Sequence, residues 1–428
     1  MSNFKRVVIT GMATINPLGD SLDGFYNNLL AGKSGIKNWS SIDVSNVACK
    51  IGGDLGDYDF LNALTKYQDM LQDRFKKIRK LVKKMTFSNK SGVLTSIAAF
   101  NHAGLFSHDL DPFRTSVMVA GHNFNTKYVF EQIHQFDEEP EWIDPLFGVE
   151  SLDPNIPGTL SEVLGVQGPA YNMGAACASG NIALRAGFRD ILLGDQDISV
   201  VCGPFWDMNE FDIHAMAFLG ALVVKPEYQN NPEAGSRPFD KARCGFVPSH
   251  GAATIILEEL EHAKKRGAKI YAEVLGVDAN SNANHLPEPS MEAQAELMKT
   301  IMKKCDIKPE QVDFISAHAT GTPLGDIHEL NAIKSAFGKH AYNLKINAPK
   351  SMLGHTTWAA ALVETVAAIM QMNNNKLHGA TNIDNPADEV DLDVCMNGNV
   401  EKEINIFLKN SFGFGGLNCC SLIKKYEG

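Results

Sequence analysis

The sequence predicts an α/β protein made of two similar halves, residues 1–260 and 261–428. Three observations carry this. Short apolar runs of strand length alternate with stretches of helical period along the chain. The alternation occurs once in each half, and implies helices layered on sheets. The 428 residues are 44% hydrophobic and 21% charged, the composition of a globular protein with a large core. No repeat of sequence accompanies the duplication, so it rests on the pattern alone.

In chain order, residues 6–10 read as a buried strand and 11–18 as the turn beyond it. Residues 115–120 form a second apolar run. Residues 180–193 have helical period, and 197–203 read as the strand that follows. Two further strands are expected at 252–258 and 270–277. The second half reads as strand 312–317, helix 326–337, strand 344–347 and helix 359–372. Strands 404–409 and 419–424 close it, joined by a glycine-rich turn. Residues 74–85 are helical with basic side chains at seven of twelve positions. This is either a solvated face or a docking surface for an acidic partner.

Composition excludes several classes. Thirty-nine basic against 50 acidic residues give a net charge of −11, which does not favour nucleic acid. No uncharged apolar run reaches the roughly 18 residues that span a bilayer. The N-terminal stretch is polar and then strand-like, not a signal peptide. Eight scattered cysteines without CxxC spacing argue against a disulfide framework or a zinc site. A reducing, cytoplasmic setting and no metal are expected.

Four segments carry chemistry. In Tyr171-Asn-Met-Gly-Ala-Ala-Cys-Ala-Ser-Gly180, Cys177 stands at the start of a helix among residues with little side chain. Backbone N–H groups and the helix dipole favour a thiolate there. Small neighbours admit a bulky acyl group. His318 ends an apolar strand, where α/β folds place active sites, and a Gly/Thr turn with Thr320 and Thr322 follows. Asp326 is read as a cap of the next helix. His355 likewise follows a strand and turn, with Lys350 five residues before it. Glu364 lies in an otherwise apolar helix and needs a partner, for which Lys350 is the candidate. In Asn410-Ser-Phe-Gly-Phe-Gly-Gly-Leu-Asn418, glycines around Phe414 permit close backbone approach, and an N–H here can complete an oxyanion hole. Each segment also has a structural reading: a small buried cysteine, a core histidine, a solvent lysine, a tight hairpin.

In this order the segments resemble the β-ketoacyl-acyl-carrier-protein synthases, closest to the type II elongating branch of the thiolase superfamily. The likeness runs from Arg6-Val-Val-Ile-Thr-Gly-Met and Asn16-Pro-Leu-Gly, through the Cys177 segment and Ser236-Arg-Pro-Phe-Asp-Lys-Ala-Arg243. It continues to His318-Ala-Thr-Gly-Thr-Pro-Leu-Gly-Asp, Lys350-Ser-Met-Leu-Gly-His and Asn410-Ser-Phe-Gly-Phe-Gly-Gly. It implies a thiolase fold, a duplicated five-layer αβαβα architecture, usually as a homodimer. It implies a decarboxylative Claisen condensation in fatty-acid or polyketide-type biosynthesis. Cys177 would accept the acyl chain, and His318 and His355 would act on a malonyl- or β-ketoacyl-type thioester. The backbone N–H groups of Cys177 and Phe414 would hold the oxyanion, with Phe414 also a gate. Lys350 and Glu364 would orient these groups. Thr320 and Thr322 would bind the phosphopantetheine arm of an acyl carrier protein, with no other cofactor.

The chain departs from the family pattern at several positions. Pro248-Ser-His-Gly-Ala-Ala253 replaces the usual Gly-Glu-Gly-Ala-Gly, with His250 in the glutamate's place. Trp358 stands where glycine is expected, and Leu417 where threonine is usual. Gly121-His-Asn-Phe-Asn125 and Phe205-Trp-Asp-Met-Asn-Glu210 are also unusual. These departures point to a specialised-metabolism ketosynthase rather than a housekeeping one. An alternative joins two β-ketoacyl chains into a cyclohexanedione or dialkylresorcinol ring. A non-catalytic chain-length partner would lack the cysteine that is present here. A cysteine hydrolase needs only a Cys–His pair, which two histidines and a lysine exceed.

Overall fold

A computed structural model describes residues 4–428. Its main sheet contains β1 (Val7–Ile15), β2 (Thr115–Ala120), β3 (Ala170–Met173), β4 (Ile198–Gly203), β5 (Ala252–Glu259), β6 (Ala272–Ser281), β7 (Phe314–Ser316), β8 (Lys345–Asn347), β9 (Ile406–Gly413) and β10 (Leu417–Lys424). The order across the sheet is β8-β7-β9-β10-β6-β1-β5-β4-β2-β3. Adding five to each strand of the run β1-β5-β4-β2-β3 gives β6-β10-β9-β7-β8. The strand senses repeat as well. β2 runs parallel to β3 and β4, and β5 is antiparallel to β4 and β1. In the second run β7 is parallel to β8 and β9, and β10 is antiparallel to β9 and β6. The two runs join only through three residues of each inner strand, Val7 to Ile9 against Ala272 to Val274.

Strand side chains alternate between two helical layers, as a pleated strand requires. Val117 and Val119 of β2 pack into an outer cluster with Ile97 of α1 (Phe87–His102) and Leu160 of α2 (Asn155–Leu164). Met118 and Ala120 face the central cluster with Leu184 of α3 (Ser179–Leu192) and Val363 of α6 (Ala360–Asn374). In the second half, Ile315 and Leu408 face Met298 of α4 (Met291–Lys304) and Leu330 of α5 (Gly325–Phe337), while Phe314 and Phe407 face the centre. The layers are therefore helix, sheet, helix, sheet, helix. Both faces of each sheet are covered, which is why the strands read as unbroken apolar runs.

β1 corrects one expectation. Residues 11–15 are strand, not turn, with a register shift between Ile9 and Gly11. Gly11 lies under α1, where a Cβ would stand 2.5 Å from the Ala99 carbonyl oxygen. Its glycine marks close packing rather than a chain reversal. The basic helix spans Asp73–Val82. Phe75, Ile78 and Val82 are buried, while Lys76, Lys77, Arg79 and Lys80 are exposed, Lys77 pairing with Glu162 at 2.9 Å. No helix among the described residues is long and apolar enough to cross a membrane.

Candidate active site

The strand ends and the two central helices converge on Cys177. The cysteine lies in a 3-10 turn, Ala176–Ala178, directly ahead of α3. Ala176 adopts φ of 46°. Ser179 holds this strained turn: its hydroxyl accepts from the Ala175 N–H at 2.8 Å and donates to the Ala176 carbonyl at 2.7 Å. Asn181, one turn further, donates to the carbonyls of Lys409 and Cys419, both at 3.2 Å, and so ties α3 to β9 and β10. That hairpin carries Gly413 and Phe414. A Cβ on Gly413 would stand 2.4 Å from the Ala175 carbonyl, so only glycine allows the approach. The approach brings the backbone N–H groups of Cys177 and Phe414 near the thiol, where both favour its ionised form.

The thiolate expectation needs correcting. Burial dominates and pushes the Cys177 thiol up to about 11, although Lys350 and the two N–H groups pull it down. The resting group is a thiol.

His318 and His355 face each other with ring centroids 5.6 Å apart. Both are buried, and burial holds both well below the usual histidine range, reinforced by the charge of Lys350 and Lys409. They are neutral imidazoles. Nδ1 of His355 accepts from the Thr357 N–H at 3.2 Å, which assigns the proton to Nε2. That Nε2 is buried with no partner, a free donor. Glu329 fixes the His318 loop: its two oxygens accept from the N–H groups of His318 and Ala319 at 2.8 Å, and one also from Asn410 at 2.9 Å.

Beneath the histidines lies a buried charge cluster. Lys350 Nζ donates to the His318 carbonyl at 2.5 Å and pairs with one oxygen of Glu364. The other Glu364 oxygen takes Lys409 Nζ at 2.6 Å. Lys409 is wholly buried, and donates also to the carbonyls of Ser316, Ala317 and Asn410. Every partner of this nitrogen is an acceptor, so it carries all three protons. With Glu329, the cluster holds two cations and two carboxylates.

A cavity of about 390 Å³ leads to this centre. Thr320, Thr322, Phe246, Phe412 and Phe414 line it, and Cys177, His318 and His355 form part of its wall. The two threonine hydroxyls lie 3.2 Å apart. Phe414 is partly exposed at 37%, its ring 6.5 Å from Phe246. Asp326 is no helix cap: it is buried and accepts from the N–H groups of Gly321 (3.0 Å) and Phe239 (2.8 Å), and burial pushes it up to about 7. His250 is absent from the cavity wall. It packs among Trp39, Phe87 and Phe205, accepts from the Leu55 N–H at 3.0 Å, and falls to about 4 through burial.

Reading the sequence missed Lys409, Ser179, Asn181 and Glu329. Lys409 had a signal, a lysine set directly after the apolar run Ile406-Phe-Leu of a buried strand. Glu329 had one too, an acid three residues after Asp326 on the buried side of a helix.

The architecture is that of the thiolase fold, and the groups gathered at its centre suit acyl transfer. Comparison with known proteins agrees. Residues 4–263 match the model of the beta-ketoacyl synthase N-terminal domain, and 271–384 that of the C-terminal domain. A 3-oxoacyl-[acyl-carrier-protein] synthase 2 of Coxiella burnetii is 34% identical, over 97% of both chains. The polyketide biosynthesis malonyl-ACP decarboxylase PksF of Bacillus subtilis is 29% identical, over 99% of this chain and 98% of its own. A type II polyketide ketosynthase, solved with its acyl carrier protein and a bound hexaketide, superposes with TM-score 0.86 at 27% identity, over 99% and 100% of the chains. The chain belongs to the β-ketoacyl synthase family, the acyltransferase-type condensing enzymes of fatty-acid and polyketide biosynthesis.

Proposed function

We propose that Cys177 is the acyl acceptor and that His318 and His355 serve the decarboxylative half of the condensation. The observation that carries this is a buried thiol that shares one cavity wall with two neutral histidines, beside the backbone N–H groups of Cys177 and Phe414. In the first half, Cys177 Sγ attacks the acyl thioester of a carrier-bound phosphopantetheine. The developing oxyanion sits between the N–H groups of Cys177 and Phe414. The Cys177 proton leaves with the pantetheine thiol, whose C–S bond breaks. In the second half, the carboxylate of a malonyl thioester leaves as CO2 and its bonding pair moves into an enolate. Imidazole N–H donors of His318 and His355 stabilise the enolate oxygen. Its carbon attacks the acyl-cysteine carbonyl, Sγ departs, and one proton from solvent restores the thiol. The β-ketoacyl group remains on the carrier.

Lys350, Glu364 and Lys409 position the histidine loops, and Thr320 and Thr322 meet the pantetheine arm. The division at residues 260 and 261 separates the half that carries the nucleophile from the half that carries both histidines. The working form is a homodimer. β3 ends the sheet with one open edge and an exposed Tyr171, which supports pairing with a second copy. A second reading, in which chemistry stops at decarboxylation, draws on the relationship to PksF.

The test incubates the protein with acyl-loaded carrier protein and examines it by intact-protein and peptide mass spectrometry. An acyl adduct on Cys177, lost in Cys177→Ala, is expected. Adduct formation by the alanine variant overturns the assignment. Adding malonyl-carrier protein separates the two readings, since condensation yields a β-ketoacyl carrier and decarboxylation alone yields an acetyl carrier.

A further inference from the structure

We infer that Trp358, His122 and Trp206 close the space behind Cys177, so that the acyl group it accepts is short, of about two to four carbons. The inference rests on the role proposed for Cys177.

Condensation requires two chains at one sulfur. The incoming carrier arm must occupy the cavity lined by Thr320, Thr322 and Phe414 while the acyl group is still bonded to Sγ. The acyl chain therefore has to lie on the other side of the nucleophile turn. That side is formed by residues 121–122, 204–206 and 357–359, none of which lines the cavity.

An aromatic layer fills it. The turn Ala176–Ala178 packs against Thr357–Ala359. The His122 ring lies against Gly174, three residues before Cys177, where a Cβ would stand 2.7 Å from the ring. His122 stacks on Trp358 with centroids 4.6 Å apart and an interplanar angle of 30°. Trp358 continues onto Trp206 at 5.0 Å and 33°. Gly121 is pressed against the same tryptophan, since a Cβ there would stand 2.8 Å from both its Cβ and its Cδ1. Thr357 adopts φ of 47° to present Trp358, a left-handed conformation that a β-branched residue takes only under constraint. Three segments distant in sequence thus supply one continuous wall. A long chain entering it must displace stacked rings. The strain of overpacking a filled site slows acylation by roughly 5–150-fold.

The test is a loading panel. Carrier protein bearing acetyl, butyryl, octanoyl or dodecanoyl groups is mixed with the wild-type protein, and the rate of adduct formation on Cys177 is followed by mass spectrometry. Acetyl and butyryl are expected to load at least about tenfold faster than octanoyl and dodecanoyl. In Trp358→Gly the gap should narrow, through faster loading of the long chains. Dodecanoyl loading as fast as acetyl by the wild-type protein overturns the inference, and that panel decides it even if Trp358→Gly does not fold. Selective loading of octanoyl over acetyl overturns it too. Absence of any adduct, at every chain length, overturns the role of Cys177 and the length limit with it. A length profile that is wrong while Cys177 still loads leaves the role of Cys177 standing.

Discussion

Replacing Lys409 by Met tests the buried charge cluster most directly. The substitution keeps an unbranched apolar stem in the strand and removes one ammonium. Glu364 then loses its 2.6 Å partner, and the carbonyls of Ser316, Ala317 and Asn410 lose a donor. Lys409 and Glu364 are buried at 0% and 1% exposure, so water cannot substitute. Breaking one side of a buried ion pair in this way costs about 3–5 kcal/mol. The electrostatic consequence has a definite sign. The cluster goes from two cations and two carboxylates to one cation and two. The lost positive charge had helped to keep His318 and His355 unprotonated. Both pKa values therefore rise, and because the neutral forms are the useful donors, the acidic limb of the pH–rate profile moves to higher pH. Urea unfolding reads the first quantity, and the rate of β-ketoacyl formation against pH reads the second. Lys409→Arg keeps the charge and should leave the limb in place even if its rate is lower. A Lys409→Met protein as stable as the wild type, with an unmoved acidic limb, would refute the reasoning.

Two further outcomes are expected. His250 falls to about 4 from the ordinary 6.5, so it contributes stability above pH 6.5 that is lost as pH falls towards 4. His250→Gln keeps an acceptor for the Leu55 N–H without titrating. Its loss of stability between about pH 7 and about pH 5, read by urea unfolding, should be smaller than the wild type's by about 2 kcal/mol. An equal loss in both proteins would show that His250 is not held neutral. Gly413→Ala pushes a methyl to within 2.4 Å of the Ala175 carbonyl and must shift the Phe414 N–H away from Cys177. Acyl transfer should drop by about 10²-fold, the scale of losing one oxyanion donor. A normal single-turnover rate would remove the Phe414 N–H from the mechanism.

The sequence by itself determined the layered α/β class and singled out residues that the fold gathers around one cavity. Cys177, His318, His355 and Phe414 were legible because close backbone approach is a local demand. It restricts neighbours to Gly, Ala, Ser and Thr and places each group at a strand end or helix start. The pairing of Lys350 with Glu364 was legible for a similar reason, since a carboxylate in an apolar helix must be neutralised by something. The helical halves of the pattern were also strong, because their period repeats over several turns.

Other features were decided only by the tertiary structure. β1 continues through Gly11 because α1 packs closely over it, and the glycine alone reads as a turn. Cys177 is a thiol because desolvation outweighs the nearby N–H groups and Lys350, a balance set by depth of burial. Asp326 anchors the Gly321 loop rather than capping its helix, because the Phe239 N–H reaches it from another part of the fold. Lys409 becomes meaningful only when β9 is laid beside α6 and β7, and Trp358 only when it meets His122 and Trp206. Local constraints leave a mark on neighbouring residues, and so the sequence shows them. A charge balance or an aromatic wall is assembled across the fold from distant segments, whose joint role exists only once packing brings them together.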